Sequence, residues 1–259
     1  MTTTKDLMGF IYNYFGTEEI KKAQSKDAYG ANGLQVLGAE EVSGVALGVS
    51  ASVDFFQQAV KNNLNFLVVH HGLGINDLGF RINDILKQRL RFLFDHNLTL
   101  LGFHYLLDSH YEIGNNAQIL KKLGARIIRS FDDDWGWVGE LEESAELQEI
   151  VKRCDLIFNS KPASFLEGKR MVRSIAVVSG GGKLHPYAEL TTEIMEGIDL
   201  YITGEAGEQT QALCQEGKIN YLAYGHYNTE VFGVKALGEV IRRNFPELRV
   251  VFADIPNCL

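Results

Sequence analysis

No stretch of this chain approaches the roughly 18 consecutive apolar residues needed to cross a bilayer, which argues against a membrane-spanning role. Cysteine is scarce. Cys154, Cys214 and Cys258 are odd in number and form no Cys-x-x-Cys pair, so they point to a reducing compartment and no disulfide framework. Proline occurs only four times, and no Ser/Gly-rich linker or low-complexity tract is present. Basic residues are outnumbered, 25 Lys and Arg against 33 Asp and Glu, for a formal charge of −8. That balance argues against nucleic acid as the main partner, because such contacts rest on neutralising phosphates. A P-loop, a Gly-x-Gly-x-x-Gly after a strand and a basic cluster for a triphosphate are also missing. The opening residues Met1 to Asp6 lack the apolar core of a signal peptide. The expectation is a cytoplasmic protein.

What is present fits an ordinary globular chain: 259 residues, 46% hydrophobic and 22% charged. That length allows one large domain or two lobes of about 120 residues each. Apolar runs at 45–49, 65–69, 99–103, 174–178, 200–203, 220–224 and 249–253 predict strands. Amphipathic stretches at 5–15, 53–62, 84–96, 116–123, 145–154, 190–196, 208–216 and 234–244 predict helices. Their alternation predicts an α/β, or mixed α+β, protein.

The order of elements repeats. The first half runs from Val45 to Ser50, through a helix, to a strand ending His70-His71-Gly72. The second runs from Ile175 to Gly180, through a helix, to a strand ending Thr203-Gly204-Glu205. A further strand then leads into His104-x-x-x-Asp108 in one half and His226-x-x-x-Glu230 in the other, each followed by a glycine (Gly114, Gly233) that opens a helix. We read two related lobes, 1–130 and 131–259, facing each other across a cleft; the alternative is one continuous sheet.

His70, His71, His104, Asp108, Glu205, His226 and Glu230 all fall at predicted strand ends, where α/β proteins build their ligand crevices. Imidazoles and carboxylates without thiolate suit a divalent metal of borderline hardness such as Zn, Fe, Mn or Co. The set exceeds what one tetrahedral ion needs, and two ions with a bridging carboxylate would use it better. Structural readings stand beside these. His104 could pair with Asp108, Asp108 and Glu230 could serve helix N-termini, and Glu205 could cap the helix from Glu208. His96, His110 and His185 read as surface residues. So does the Asp132-Asp133-Asp134 run.

At these positions the chain resembles the NIF-three-like family of dinuclear-metal-centre proteins, the GTP cyclohydrolase I type 2 homologues. The resemblance rests on Asn32-Gly33-Leu34-Gln35, Val69-His70-His71-Gly72, His104-x-x-x-Asp108, Thr203-Gly204-Glu205, Gly225-His226-Tyr227-x-x-Glu230 and the tail Asp254-Ile255-Pro256-Asn257. It implies that His71 and Asp108 hold one metal, that His70 and His226 hold the other, and that Glu230 bridges them. It further implies two similar lobes with the metals between them, His104 as a group beside the metals and a hexameric assembly. The leading reading is a metal-dependent hydrolase of a small, nucleotide-like substrate, in which His104 or Glu205 could shuttle protons. A non-catalytic metal chaperone or regulatory oligomer is the rival. Three departures stand out: Ala31-Asn32 replaces the family's Asp-Asn, with Asp27 displaced upstream; Gly72 replaces a proline; and the lysine and histidines expected after Thr-Gly-Glu are missing.

Overall fold

The computed structural model describes residues 1–28, 30–74, 81–186 and 189–257; Cys258 lies outside the described residues. In chain order the elements are α1 (Thr4–Phe15), α2 (Thr17–Lys26), β1 (Asn32–Val36), β2 (Val45–Ser50), α3 (Val53–Lys61), β3 (Phe66–His71), α4 (Asp84–Asp95), β4 (Thr99–Phe103), α5 (Tyr105–Ser109), α6 (Asn115–Leu123) and β5 (Arg126–Phe131). There follow β6 (Gly136–Glu146), α7 (Leu147–Phe158), β7 (Ala163–Leu166), β8 (Met171–Val178), α8 (Glu189–Met195), β9 (Leu200–Thr203), α9 (Thr210–Gly217), β10 (Asn220–Ala223), α10 (His226–Asn244) and β11 (Val250–Phe252). The protein is mixed α and β. No described helix is long and apolar enough to cross a membrane.

The chain divides into two units, one of Met1–Leu107 with Gly233–Pro256, the other of Asp108–Phe232 with Asn257. This differs from the single cut at 130/131 read from the sequence. The reason is the return of the chain's end to the first unit, where β11 pairs in parallel with β2.

The first unit holds a five-stranded sheet in the order β1-β4-β3-β2-β11. Strands β2, β3 and β4 run parallel, and β1 lies antiparallel on β4. Phe66, Leu67, Val68 and Val69 are wholly buried, as a parallel strand covered on both faces requires. Helix α3 starts where Ser52 Oγ accepts from the Phe55 N–H, then buries Phe55, Phe56 and Ala59 in the core shared with Leu67 and Val69. The second unit holds a six-stranded sheet in the order β5-β6-β8-β9-β10-β7. Here β8, β9 and β10 run parallel, and β7 lies antiparallel on β10. Two sheets therefore stand in place of the one-sheet alternative. In each, the third parallel strand carries an antiparallel neighbour.

One helix boundary moves with consequence. Gly114 precedes α6 as its N-cap, as read, but Gly233 lies inside α10, which already begins at His226. His226 and Glu230 are thus one helical turn apart, on the same face of one helix.

Candidate metal centre

In the first unit the carboxyl ends of β3 and β4 bring His70, His71 and His104 together. The ring centroids are 4.7 Å apart for His70 and His71, 4.8 Å for His70 and His104, and 5.4 Å for His71 and His104. One ring nitrogen from each lies within 4.8 Å of the other two. His70 is fully buried, and its Nδ1–H donates to the Phe103 carbonyl at 3.0 Å. A carbonyl can only accept, so Nδ1 carries the proton and Nε2 the lone pair. His104 Nδ1–H donates in the same way to Asp27 Oδ2 at 2.7 Å. His71 Nδ1 lies 3.1 Å from Ser50 Oγ. This is the arrangement that ligating histidines show, one nitrogen held by an outer partner and the other presented to an ion.

Asp27 is the residue that sequence reasoning left aside as a displaced acid. It accepts from the Gly30 N–H at 2.9 Å and from Asn32 Nδ2 at 3.1 Å, as well as from His104. Burial alone would raise its pKa, but His104 and these donors outweigh that and hold it below the usual carboxylate range. Asn32 Oδ1 also accepts from the Leu106 N–H at 3.2 Å, and Gln35 Oε1 accepts from the Leu73 N–H at 2.9 Å. The Asn-Gly-Leu-Gln strand therefore pins the chain just after both histidine-bearing ends. Gly72 has a local cause too: a Cβ there would lie 2.1 Å from Gln35 Oε1 and 2.6 Å from Ala31 Cβ. Two of the three departures from the family pattern meet at this one packing contact.

In the second unit the ends of β8, β9 and β10 gather Glu205, His226 and Glu230, with Asp108 tied to the first of these ends. Glu230 is buried, and its Oε1 accepts from His226 Nε2 at 3.1 Å. The other nitrogen, Nδ1, donates to Glu205 Oε1 at 2.7 Å. Glu230, then Glu205, raise the His226 pKa to about 9 against the opposing effect of burial. Glu205 is held low by Lys183, 2.8 Å away, and by His226. It caps no helix: α9 starts at Thr210 and has no side-chain cap bond. Asp108, also buried, accepts at Oδ1 from Asn115 Nδ2 at 3.0 Å and Ser179 Oγ at 2.7 Å. Asn116 braces the same spot, donating to the Asp108 carbonyl and accepting from the Ser179 N–H.

Gly180 closes the arrangement. Its φ is +63°, and a Cβ there would stand 2.2 Å from Glu230 Oε1 and 3.1 Å from His226 Nε2. Lys183, Asn115, Asn116 and Ser179 were not singled out from the sequence. They are ordinary polar residues whose role comes only from their place beside Asp108 and Glu205. His110 is half-buried, not a surface residue: its Nδ1 accepts from the Glu112 N–H at 3.1 Å.

The donor set fits a divalent ion. It offers the imidazoles of His70 and His104 with Nδ1 committed, together with buried carboxylates, while Cys154 and Cys214 are buried thiols pushed up to about 12 by desolvation. Among the described residues, neither thiol falls in a group of side chains placed to hold an ion.

Comparison with known proteins agrees in scope. The family model described as Duf34/NIF3 (NGG1p interacting factor 3) matches residues 8–258. A GTP cyclohydrolase 1 type 2 homolog of Archaeoglobus fulgidus is 41% identical over 233 residues, 88% of this chain and 90% of the relative. One from Escherichia coli K12 is 33% identical over 241 residues, 93% of this chain and 95% of the relative. Among solved structures, the protein ybgI, of unknown function, superposes with a TM-score of 0.85 at 30% identity, with both chains fully covered. TTHA1606 of Thermus thermophilus gives 0.84 at 29%, again over both whole chains. Reduced HcgD of Methanocaldococcus jannaschii gives 0.82 at 21% over 98% of each chain, a likeness of fold alone.

Proposed function

The chain belongs to the Duf34/NIF3 family, and from that premise we propose a dinuclear metal-dependent hydrolase of a small, nucleotide-like substrate. The observation that carries the reading is the cluster of three imidazoles, His70, His71 and His104, with Nδ1 of His70 and of His104 committed to acceptors. In this reading His71 and Asp108 hold one ion, His70 and His226 the other, and Glu230 serves both. Bound divalent ions supply Lewis acidity and a water of lowered pKa. A cytoplasmic hexamer is part of the same proposal.

The protein's own groups handle protons and charge. His104 can take a proton at Nε2 while Asp27 at Nδ1 stabilises the imidazolium that results. Glu205 orients the His226 ring through Nδ1, and Lys183 keeps Glu205 ionised.

Elemental analysis provides the test. Wild type should carry two divalent metals per chain, and His71→Ala and Glu230→Gln should each fall to one or fewer. A wild-type content below one after reconstitution would sink the dinuclear centre. Metal-loaded protein should then turn over a member of a nucleotide panel with Mn, Zn or Fe(II). Full loading without turnover of any would favour the metal-chaperone reading.

A further inference from the structure

The turn that follows β8, Ser179-Gly180, touches both buried carboxylates of the second unit. Ser179 Oγ donates to Asp108 Oδ1 at 2.7 Å, and Asn115 Nδ2 donates to the same oxygen at 3.0 Å. The next residue, Gly180, lies so close to Glu230 that a Cβ there would stand 2.2 Å from Oε1. The turn itself is held from three sides. The Ser179 N–H donates to Asn116 Oδ1 at 2.7 Å and the Gly180 N–H to Thr229 Oγ1 at 2.9 Å. The Gly180 carbonyl accepts from the Gly204 N–H at 3.1 Å. Asn116 Nδ2 donates in turn to the Asp108 carbonyl at 3.0 Å and to the Trp135 carbonyl at 2.8 Å. One asparagine thus fixes both the backbone of Asp108 and the serine that donates to its side chain. Asn115, Asn116 and Ser179 are all buried, so water competes little for these bonds.

A carboxylate oxygen offers two lone pairs, and two donors fill those of Oδ1. A cation therefore meets Asp108 through Oδ2. To grip both oxygens it must displace Asn115 or Ser179, and the displaced donor would be left buried without its acceptor. That restriction bears on the kind of ion. Zinc and its neighbours are content with few ligands, imidazole among them. Calcium takes roughly six to eight oxygens and commonly uses carboxylates through both. We propose that Ser179 and Asn115 are positioning residues that confine Asp108 to one-oxygen coordination, and so favour a transition metal over calcium there. The presence of an ion at Asp108 comes from the dinuclear reading, on which this proposal rests.

Titration of the chain, freed of metal by chelation, with Co(II) tests it, read by visible absorption and repeated against excess Ca(II). Wild type should take up two Co(II) per chain, and Ca(II) should displace neither. Ser179→Ala should leave one ion as in wild type and weaken the other at least about tenfold, the scale for losing an outer partner of a ligand. Ca(II) should now compete for that weakened position, and its cobalt band should change. Ser179→Thr, which retains the hydroxyl, should restore the wild-type titration. Asn115→Asp keeps the shape without the donor and should weaken the same ion, which covers the case of a Ser179→Ala chain that fails to fold. Wild-type affinity and spectrum in both Ser179→Ala and Asn115→Asp would overturn the proposal. So would equal weakening of both ions with a lowered urea midpoint, the mark of a purely structural role. Two Co(II) in wild type with unaltered variants removes the positioning alone, whereas fewer than one in wild type removes the dinuclear reading and the proposal with it.

Discussion

His104 presents Nε2 because Asp27 claims the proton on Nδ1, although 77 residues separate them. Pairing at that distance in sequence leaves no local trace, which is why the histidines could be picked out from their strand ends while Asp27 could not. Asp199 is a simpler case of a carboxylate held by its surroundings. Burial raises its pKa, but Lys169 and the N–H groups of Ser174 and Arg173 more than offset this and leave it lowered. A folded pKa below the unfolded value means that the stabilisation is complete above the unfolded value of about 3.9. It is then lost as pH falls through the folded pKa. Asp199→Asn should therefore cost about 1.5–3 kcal/mol at neutral pH, the range for hydrogen bonds to a charged group. The gap to wild type should begin to narrow below about pH 4 and close only as pH falls past the lower folded pKa. Urea midpoints across pH check this, and a gap constant with pH would contradict it. Gly180→Ala should destabilise by at least about 1–2 kcal/mol from its left-handed backbone alone, and should lower metal content by displacing Glu230.

At the scale of elements, legibility followed burial. Strands β2, β3, β4, β8, β9 and β10 are apolar runs with buried patterns, and the sequence marks them. β11 was found as well. β1, β5, β6 and β7 were missed for a shared reason: each carries polar or exposed positions. Arg126–Phe131 buries only its last residue, and Ala163–Leu166 buries none. Both are edge strands, which need only one partner and no continuous apolar side. The start of α10 was misplaced because Gly233 looks like a breaker, yet it sits mid-helix. Had that helix been extended back to His226, the four-residue spacing to Glu230 would have read at once as one face. Thr229 secures this first turn, since its Oγ1 accepts from the Gly180 N–H at 2.9 Å. Thr229→Val keeps the shape and strands that buried N–H. A loss of about 1–3 kcal/mol in chemical denaturation is expected.

For the molecule as a whole, two of the three boundaries between units fall inside α5 and α10, not in loops; the third, Pro256/Asn257, follows the last strand. Pro/Gly-rich linkers, the usual sign of a boundary, are absent there, so the sequence could suggest two lobes yet could not locate their limits. A fragment of residues 1–130 would lack β11, the partner of β2, and the α10 residues Val234, Leu237 and Ile241 that are wholly buried. It should show no cooperative urea transition. A fragment unfolding with the wild-type midpoint would restore the division at 130/131.

The hydrogen bond from His70 to the Phe103 carbonyl differs from the one between His104 and Asp27 in a way that bears on evolvability. A backbone oxygen survives every substitution at its own position, so the protonation pattern of His70 is inherited with the fold itself. That of His104 hangs on a side chain that one nucleotide change can alter. Drift can retune the second histidine while the first stays as the strand pairing made it.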